Sequence, residues 1–109
     1  MIQSLTPQQA QDLVSHGDVE IVDVRDPREW SGGHLPGARL VPLDRLRAAP
    51  EAALPRDGIL FVCAAGVRSQ TAARLAEALG LTKIYNLLGG TRGWANAGLP
   101  LVKDAVATG

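Results

Sequence analysis

The chain holds a single cysteine, Cys63, among 109 residues. A lone cysteine cannot close an internal disulfide, which excludes a disulfide scaffold. Neither sign of charge is in excess: eleven basic residues balance eleven acidic ones. There is no basic footprint for nucleic acid and no polybasic membrane patch. Long apolar runs are absent. The longest strongly apolar run, Ile59 to Cys63, is about five residues, whereas a membrane-spanning helix needs roughly 20. No repeat, linker or low-complexity segment interrupts the chain. The opening MIQSLTPQQAQDLVSHGDVE has no positive region followed by an apolar stretch, so it does not read as a signal peptide. A cytoplasmic, reducing compartment is the expectation.

What remains is ordinary globular composition, 46% hydrophobic and 20% charged. The length suits one domain over 1–109, with a core over about 4–101 and a frayed tail over 102–109. Thr6, Pro7 and Gln9 form a helix start with a capping box. Ala10, Leu13 and Val14 share one face of that helix, and Gly17 ends it. Val19 to Val24 reads as a strand. Asp26 and Pro27 open a short helix that Gly32 and Gly33 stop. His34 to Ala38 is a turn, Arg39 to Val41 a short strand, and Leu43 to Ala49 a helical turn or two. Pro50 and Pro55 bound a loop. Ile59 to Cys63 reads as a central strand covered on both faces. Ala72, Leu75, Ala76 and Leu79 stripe a strong helix over Arg68 to Leu79, capped by Gly80. Lys83 to Leu88 is another strand, and Gly89-Gly90 leads into a last helix carrying Trp94. Strands alternating with helices predict an α/β fold, a parallel sheet with helices on both faces.

In open parallel sheets, ligands bind beyond the carboxyl ends of the strands. Cys63 ends the most apolar strand. The helix after it aims its N-terminal N–H groups and positive dipole end back at the loop. Gly66 lets that loop curl. The expected result is a nest of backbone donors around one sulfur, which favours a thiolate and holds an anion. Arg68 adds a permanent positive charge. A single cysteine is most often an inert buried residue. It is the position at a strand end, before a glycine loop and a helix start, that points to a reactive thiol.

Four segments carry a resemblance to the single-domain rhodaneses, a sulfurtransferase family. They are Asp23-Val24-Arg25 with Glu29-Trp30; Gly33-His34-Leu35-Pro36-Gly37-Ala38; Cys63-Ala64-Ala65-Gly66-Val67-Arg68-Ser69; and Gly89-Gly90 with Trp94. The resemblance implies a central parallel sheet of about five strands with helices on both faces. It implies that Cys63 takes a sulfane sulfur from a donor such as thiosulfate, becomes a persulfide, and passes the sulfur to a thiol or cyanide acceptor. The partners are then a small-molecule donor and acceptor, or a sulfur-carrying protein. No metal or organic cofactor is implied. The persulfide cradle of the family maps onto Ala64, Ala65, Gly66, Val67, Arg68 and Ser69.

Other residues take plainer readings. Asp23 and Arg25 fix loops near the sheet edge. His34 serves packing and the turn, having no His or Cys near it in sequence to share a metal. Trp30 and Trp94 pack, and Gly89-Gly90 turns the chain. Ser69 and Thr71 have two uses, hydrogen-bonding the sulfur or capping the helix, and capping is the plainer reading. Two rival functions differ from sulfur transfer. Cysteine phosphatases and arsenate reductases also combine a strand-end thiolate with an arginine. The tyrosine phosphatases and rhodanese-like cell-cycle phosphatases place one more residue between the two than the four found here, Ala64 to Val67. A non-catalytic docking module of the same family usually lacks the cysteine that this chain keeps.

Overall fold

The computed structural model describes residues 1–103. Five strands form one sheet in the order β1-β5-β4-β2-β3, with every pair parallel. They are β1 (Ile2–Leu5), β2 (Glu20–Asp23), β3 (Arg39–Leu40), β4 (Ile59–Val62) and β5 (Ile84–Leu87). The helices are α1 (Pro7–Ser15), α2 (Pro27–Ser31), α3 (Leu43–Ala48), α4 (Pro50–Ala53), α5 (Arg68–Ala78) and α6 (Gly90–Asn96).

The apolar run Ile59 to Cys63 becomes the centre of the sheet because both of its faces are covered. Alternation along a strand sends successive side chains to opposite sides. Ile59, Phe61 and Cys63 enter a core with Leu46 of α3, Ala53 of α4 and Ala72, Ala73 and Ala76 of α5. Leu60 and Val62 enter the other, with Ala10 of α1, Leu87 and Trp94 of α6. The small residues of α5 let that helix lie close to the sheet. Fully burying each aliphatic or aromatic side chain stabilises by roughly 1.5–3 kcal/mol relative to leaving it exposed. The two-sided core, rather than local propensity, therefore fixes β4.

Two capping boxes form, the one read at α1 and, around the expected Asp26 cap, a second at α2. Thr6 Oγ1 accepts from Gln9 N and Gln9 Oε1 accepts from Thr6 N; Asp26 and Glu29 do the same at α2. The turn at Leu35 closes through Ala38 N donating to Leu35 O at 3.1 Å. Three features differ from the sequence reading. β1 was not expected; it forms by pairing with β5, Ile2 opposite Ile84. The loop between Pro50 and Pro55 contains the helical turn α4, whose first position Pro50 occupies. Val102, expected within a frayed tail, is instead held in place, exchanging two backbone hydrogen bonds of 2.8 and 2.9 Å with His34. The remainder of that tail, 104–109, lies outside the described residues. Among the described residues, no helix is long and apolar enough to cross a membrane.

Candidate active site

Cys63 directly follows β4 and is 1% exposed. The loop after it is shaped from behind. Thr91 N donates to Cys63 O at 2.8 Å and Arg92 N to Ala64 O at 3.1 Å, so the first turn of α6 takes up the loop's carbonyls. The loop's N–H groups are left to face the sulfur. Gly66 N donates to Cys63 Sγ at 3.0 Å. Gly66 has φ +96°, and a Cβ there would stand 3.2 Å from Gly89 N. Gly90 is tighter. A Cβ on it would lie 2.2 Å from Cys63 O and 2.5 Å from Ala64 C. The Gly89-Gly90 turn thus permits a backbone approach that no other residue allows.

Ser69 does not cap α5, contrary to the sequence reading, and neither does Thr71. The N-cap position is Val67, and no side chain caps the helix. An uncapped helix leaves its first N–H groups available to a ligand or a sulfur. The Ser69 hydroxyl lies 3.4 Å from Cys63 Sγ and donates to Asn86 Oδ1. Burial pushes the Cys63 thiol up, but the Ser69 hydroxyl and the backbone N–H groups of Ser69, Gly66 and Ala65 outweigh it. The net direction is below the ordinary thiol value.

The predicted loop residues lie together, Ala64 to Val67 as the bend after β4 and Arg68 and Ser69 as the start of α5. Gly66 and Ser69 are buried, Ala64 and Arg68 half-buried, Ala65 and Val67 exposed. The Arg68 guanidinium neither stands free nor bonds to loop carbonyls. It pairs with both Glu29 oxygens, at 2.7 and 2.8 Å. The Arg68 hydrogen bonds are the main cause holding the Glu29 carboxyl down at about 2, burial opposing. Arg68 also lines a cavity of about 420 Å³ together with Arg25, Asp26, Asp44 and Arg47. Sequence reasoning quoted Glu29 within a motif but did not connect it with Arg68, because the two lie 39 positions apart.

Asn86 was missed altogether. It is a fully buried polar residue in an otherwise apolar strand segment, and that pattern was the available signal. Asp23 and Arg25 form a buried ion pair at 2.8 Å. Arg25 also donates to Gly33 O at 2.8 Å and Glu29 O at 3.3 Å, the loop-fixing role expected of it. His34 stacks on Trp30 at 3.5 Å, and its Nδ1 lies 3.0 Å from Leu35 O. Trp94 is buried, with Nε1 donating to Pro100 O at 2.8 Å.

The rhodanese-like domain model matches residues 6–97. The uncharacterized protein YqhL of Bacillus subtilis is 39% identical over 75 residues, covering 69% of this chain and 60% of YqhL. The thiosulfate sulfurtransferase GlpE of Ectopseudomonas mendocina is 36% identical over 90 residues, covering 83% of this chain and 82% of that protein. The crystal structure of a rhodanese-related protein from Thermoplasma volcanium aligns with a TM-score of 0.81 at 28% identity, over 92% of this chain and 97% of that one. Several relatives are longer, and the chain spans between 24% and 60% of their length. The family match runs from α1 through α6 and takes in every strand except β1, and on that extent the chain belongs to the rhodanese-like domain family.

Proposed function

We propose that the chain is a single-domain sulfurtransferase whose nucleophile is Cys63. The observation that carries this reading is the convergence of N–H donors on one buried sulfur, with Gly66 N at 3.0 Å. An inert core cysteine has no use for an uncapped helix start and a loop whose first two carbonyls are tied back to α6. The same geometry suits a thiolate and then the anionic outer sulfur of a persulfide.

With thiosulfate as donor, the Cys63 thiolate attacks the outer sulfur. The S–S bond of thiosulfate breaks and sulfite leaves with the electron pair. Cys63 is then a persulfide. A cyanide or thiolate acceptor attacks the terminal sulfur, and the Cys63 thiolate leaves. One difficult transfer becomes two displacements with a covalent intermediate between them. Ala64, Ala65, Gly66, Val67, Arg68 and Ser69 form the cradle. Physiological donors fitting this chemistry include small-molecule persulfides and sulfur-carrying proteins. Four intervening residues between Cys63 and Arg68 make a narrow cradle, better matched to one terminal sulfur than to a tetrahedral oxyanion.

The test is Cys63→Ala assayed with thiosulfate and cyanide. Wild type should show ping-pong kinetics, and its mass after incubation with thiosulfate should rise by one sulfur atom. The alanine variant should keep the fold by circular dichroism and lose both properties. Normal turnover by Cys63→Ala would remove the assignment.

A further inference from the structure

Cys63, Ser69 and Asn86 come from three different elements and meet on one side of the sheet. Asn86 stands opposite Phe61 in register. The two-residue period of a strand puts Asn86 on the same side as Ile84, and Cys63 on the same side as Phe61, facing α5. Ser69 reaches down from the first turn of α5 between them. Ser69 and Asn86 are both 0% exposed. Asn86 Oδ1 accepts from the Ser69 hydroxyl, while Asn86 Nδ2 is buried with no hydrogen-bond partner. A leucine would fill this strand position without leaving a donor unpaired. The amide therefore needs an explanation that packing does not supply.

The Ser69 hydroxyl has one proton. While Asn86 Oδ1 accepts that proton, Ser69 offers the sulfur only a lone pair. That arrangement suits a neutral thiol, which donates S–H to Ser69 Oγ. A thiolate has no proton to give and needs a donor. The amide of asparagine has two orientations, related by a half-turn, that fill nearly the same volume with donor and acceptor exchanged.

We propose that Asn86 is a positioning residue for Cys63: after a half-turn its amide donates to Ser69 Oγ and directs the one Ser69 hydroxyl proton onto the sulfur. This rests on Cys63 being the reacting thiol, as read above. The hydrogen-bond chain then runs Asn86 to Ser69 to sulfur, each bond polarising the next. The proton lost by the thiol goes to solvent, and Ser69 and Asn86 keep theirs. The half-turn also replaces a buried unpaired amide N–H by a buried unpaired carbonyl, which proteins tolerate better. Arg68 acts on the sulfur electrostatically, but Glu29 fixes it in place. The Gly66 N–H is a fixed donor too. Ser69 is thus the adaptable donor among these contacts, and Asn86 sets its direction.

The experiment is the pH dependence of iodoacetamide alkylation, which reads the thiolate fraction and needs no sulfur donor. Wild type should inflect below the ordinary cysteine value of about 8.5. Ser69→Ala should move the inflection up by about one pH unit, as for losing one hydrogen bond to a charged group. Asn86→Leu should move it up by about half that. In the Ser69→Ala background, Asn86→Leu should add nothing, because its effect passes through Ser69. A folded Asn86→Leu protein with an unmoved inflection overturns the proposal, as do equal shifts in the two backgrounds. If Asn86→Leu does not fold, Asn86→Asp carries the same comparison. An aspartate only accepts and holds the Ser69 proton away from sulfur, so its upward shift should be larger with Ser69 than with alanine. Equal shifts again overturn the proposal. Sulfur transfer is scored separately. An intact alkylation cycle without turnover sinks the proposed function and leaves the role of Asn86 standing.

Discussion

At the scale of single residues, the arginine in the loop changes meaning once its partner is known. Sequence alone leaves Arg68 two uses, recruiting an anionic donor or holding loop carbonyls. The structure gives it Glu29. A guanidinium whose charge is matched by a carboxylate braces the loop against α2 more than it attracts a free anion. Glu29 is itself fixed by the capping box of α2, through Asp26 N and Asp26 Oδ1. We expect Arg68→Ala and Glu29→Gln each to slow sulfur transfer by about tenfold, or ~1.4 kcal/mol. Thiosulfate and an uncharged persulfide donor should suffer alike, and kcat/KM with the two donors is the measurement. A loss confined to thiosulfate would return Arg68 to anion recruitment. Partners this far apart in sequence cannot be read from a motif. The same limit hid Asn86, whose value lies in Ser69, 17 positions away.

At the scale of elements, Gly90 shows how one helix start builds another element's loop. The first turn of α6 can donate to the carbonyls of Cys63 and Ala64 only because nothing projects from Gly90. Gly90→Ala should force the Cys63 loop away from α6, since all three atoms it meets are backbone. Sulfur transfer should fall at least 100-fold, and thermal stability should fall by roughly 2–4 kcal/mol, beyond the 1–3 expected from an unfavourable φ alone. A normal melting temperature with normal activity would contradict this. The elements that could be read in advance were those with their own local signals. The capping box of α1, the Asp26 cap of α2, the apolar run of β4 and the stripe of α5 all appear where expected, give or take an end residue. β1 could not be read. Ile2-Gln3-Ser4-Leu5 has no alternation, and it is a strand because β5 lies beside it. α4 is a single turn, too short to show a period.

At the scale of the whole molecule, two carboxylates clamp opposite ends of the sheet. Glu29 works near the carboxyl ends of the strands. Asp57, just before β4, accepts from Thr82 N, Lys83 N, Gly58 N and the Thr82 hydroxyl. Those bonds, Thr82 N–H foremost, hold the Asp57 carboxyl well below the usual aspartate range. A carboxylate whose folded value is depressed stabilises the fold above its unfolded value. That contribution is lost as pH falls toward the folded value. For Glu29 the window runs from 4.5 down to about 2. Glu29→Gln and Asp57→Asn should each cost about 1 kcal/mol at pH 7, after allowance for solvent screening. The length of β4, about 13 Å, lies between them, so the double variant should lose the sum within about 0.5 kcal/mol. Urea unfolding at pH 7 and pH 2.5 checks this. The gap between wild type and each variant should narrow at the lower pH, and an undiminished gap would show that these carboxylates do not drive acid loss.

The sheet order also sets a timetable. Of the five described strands β1 is made first, and its neighbour in the sheet, β5, is made last. The loop after Cys63 likewise waits for Thr91 and Arg92 before its carbonyls are tied back. During synthesis the ribosome therefore releases the cysteine well before the backbone that tames it. Over that interval the thiol belongs to an unfinished chain, open to solvent and chemically ordinary. If Cys63 is the nucleophile proposed above, its reactivity arrives with the closing helix, and a chain cut short before Gly90 should keep the sulfur and lose sulfur transfer.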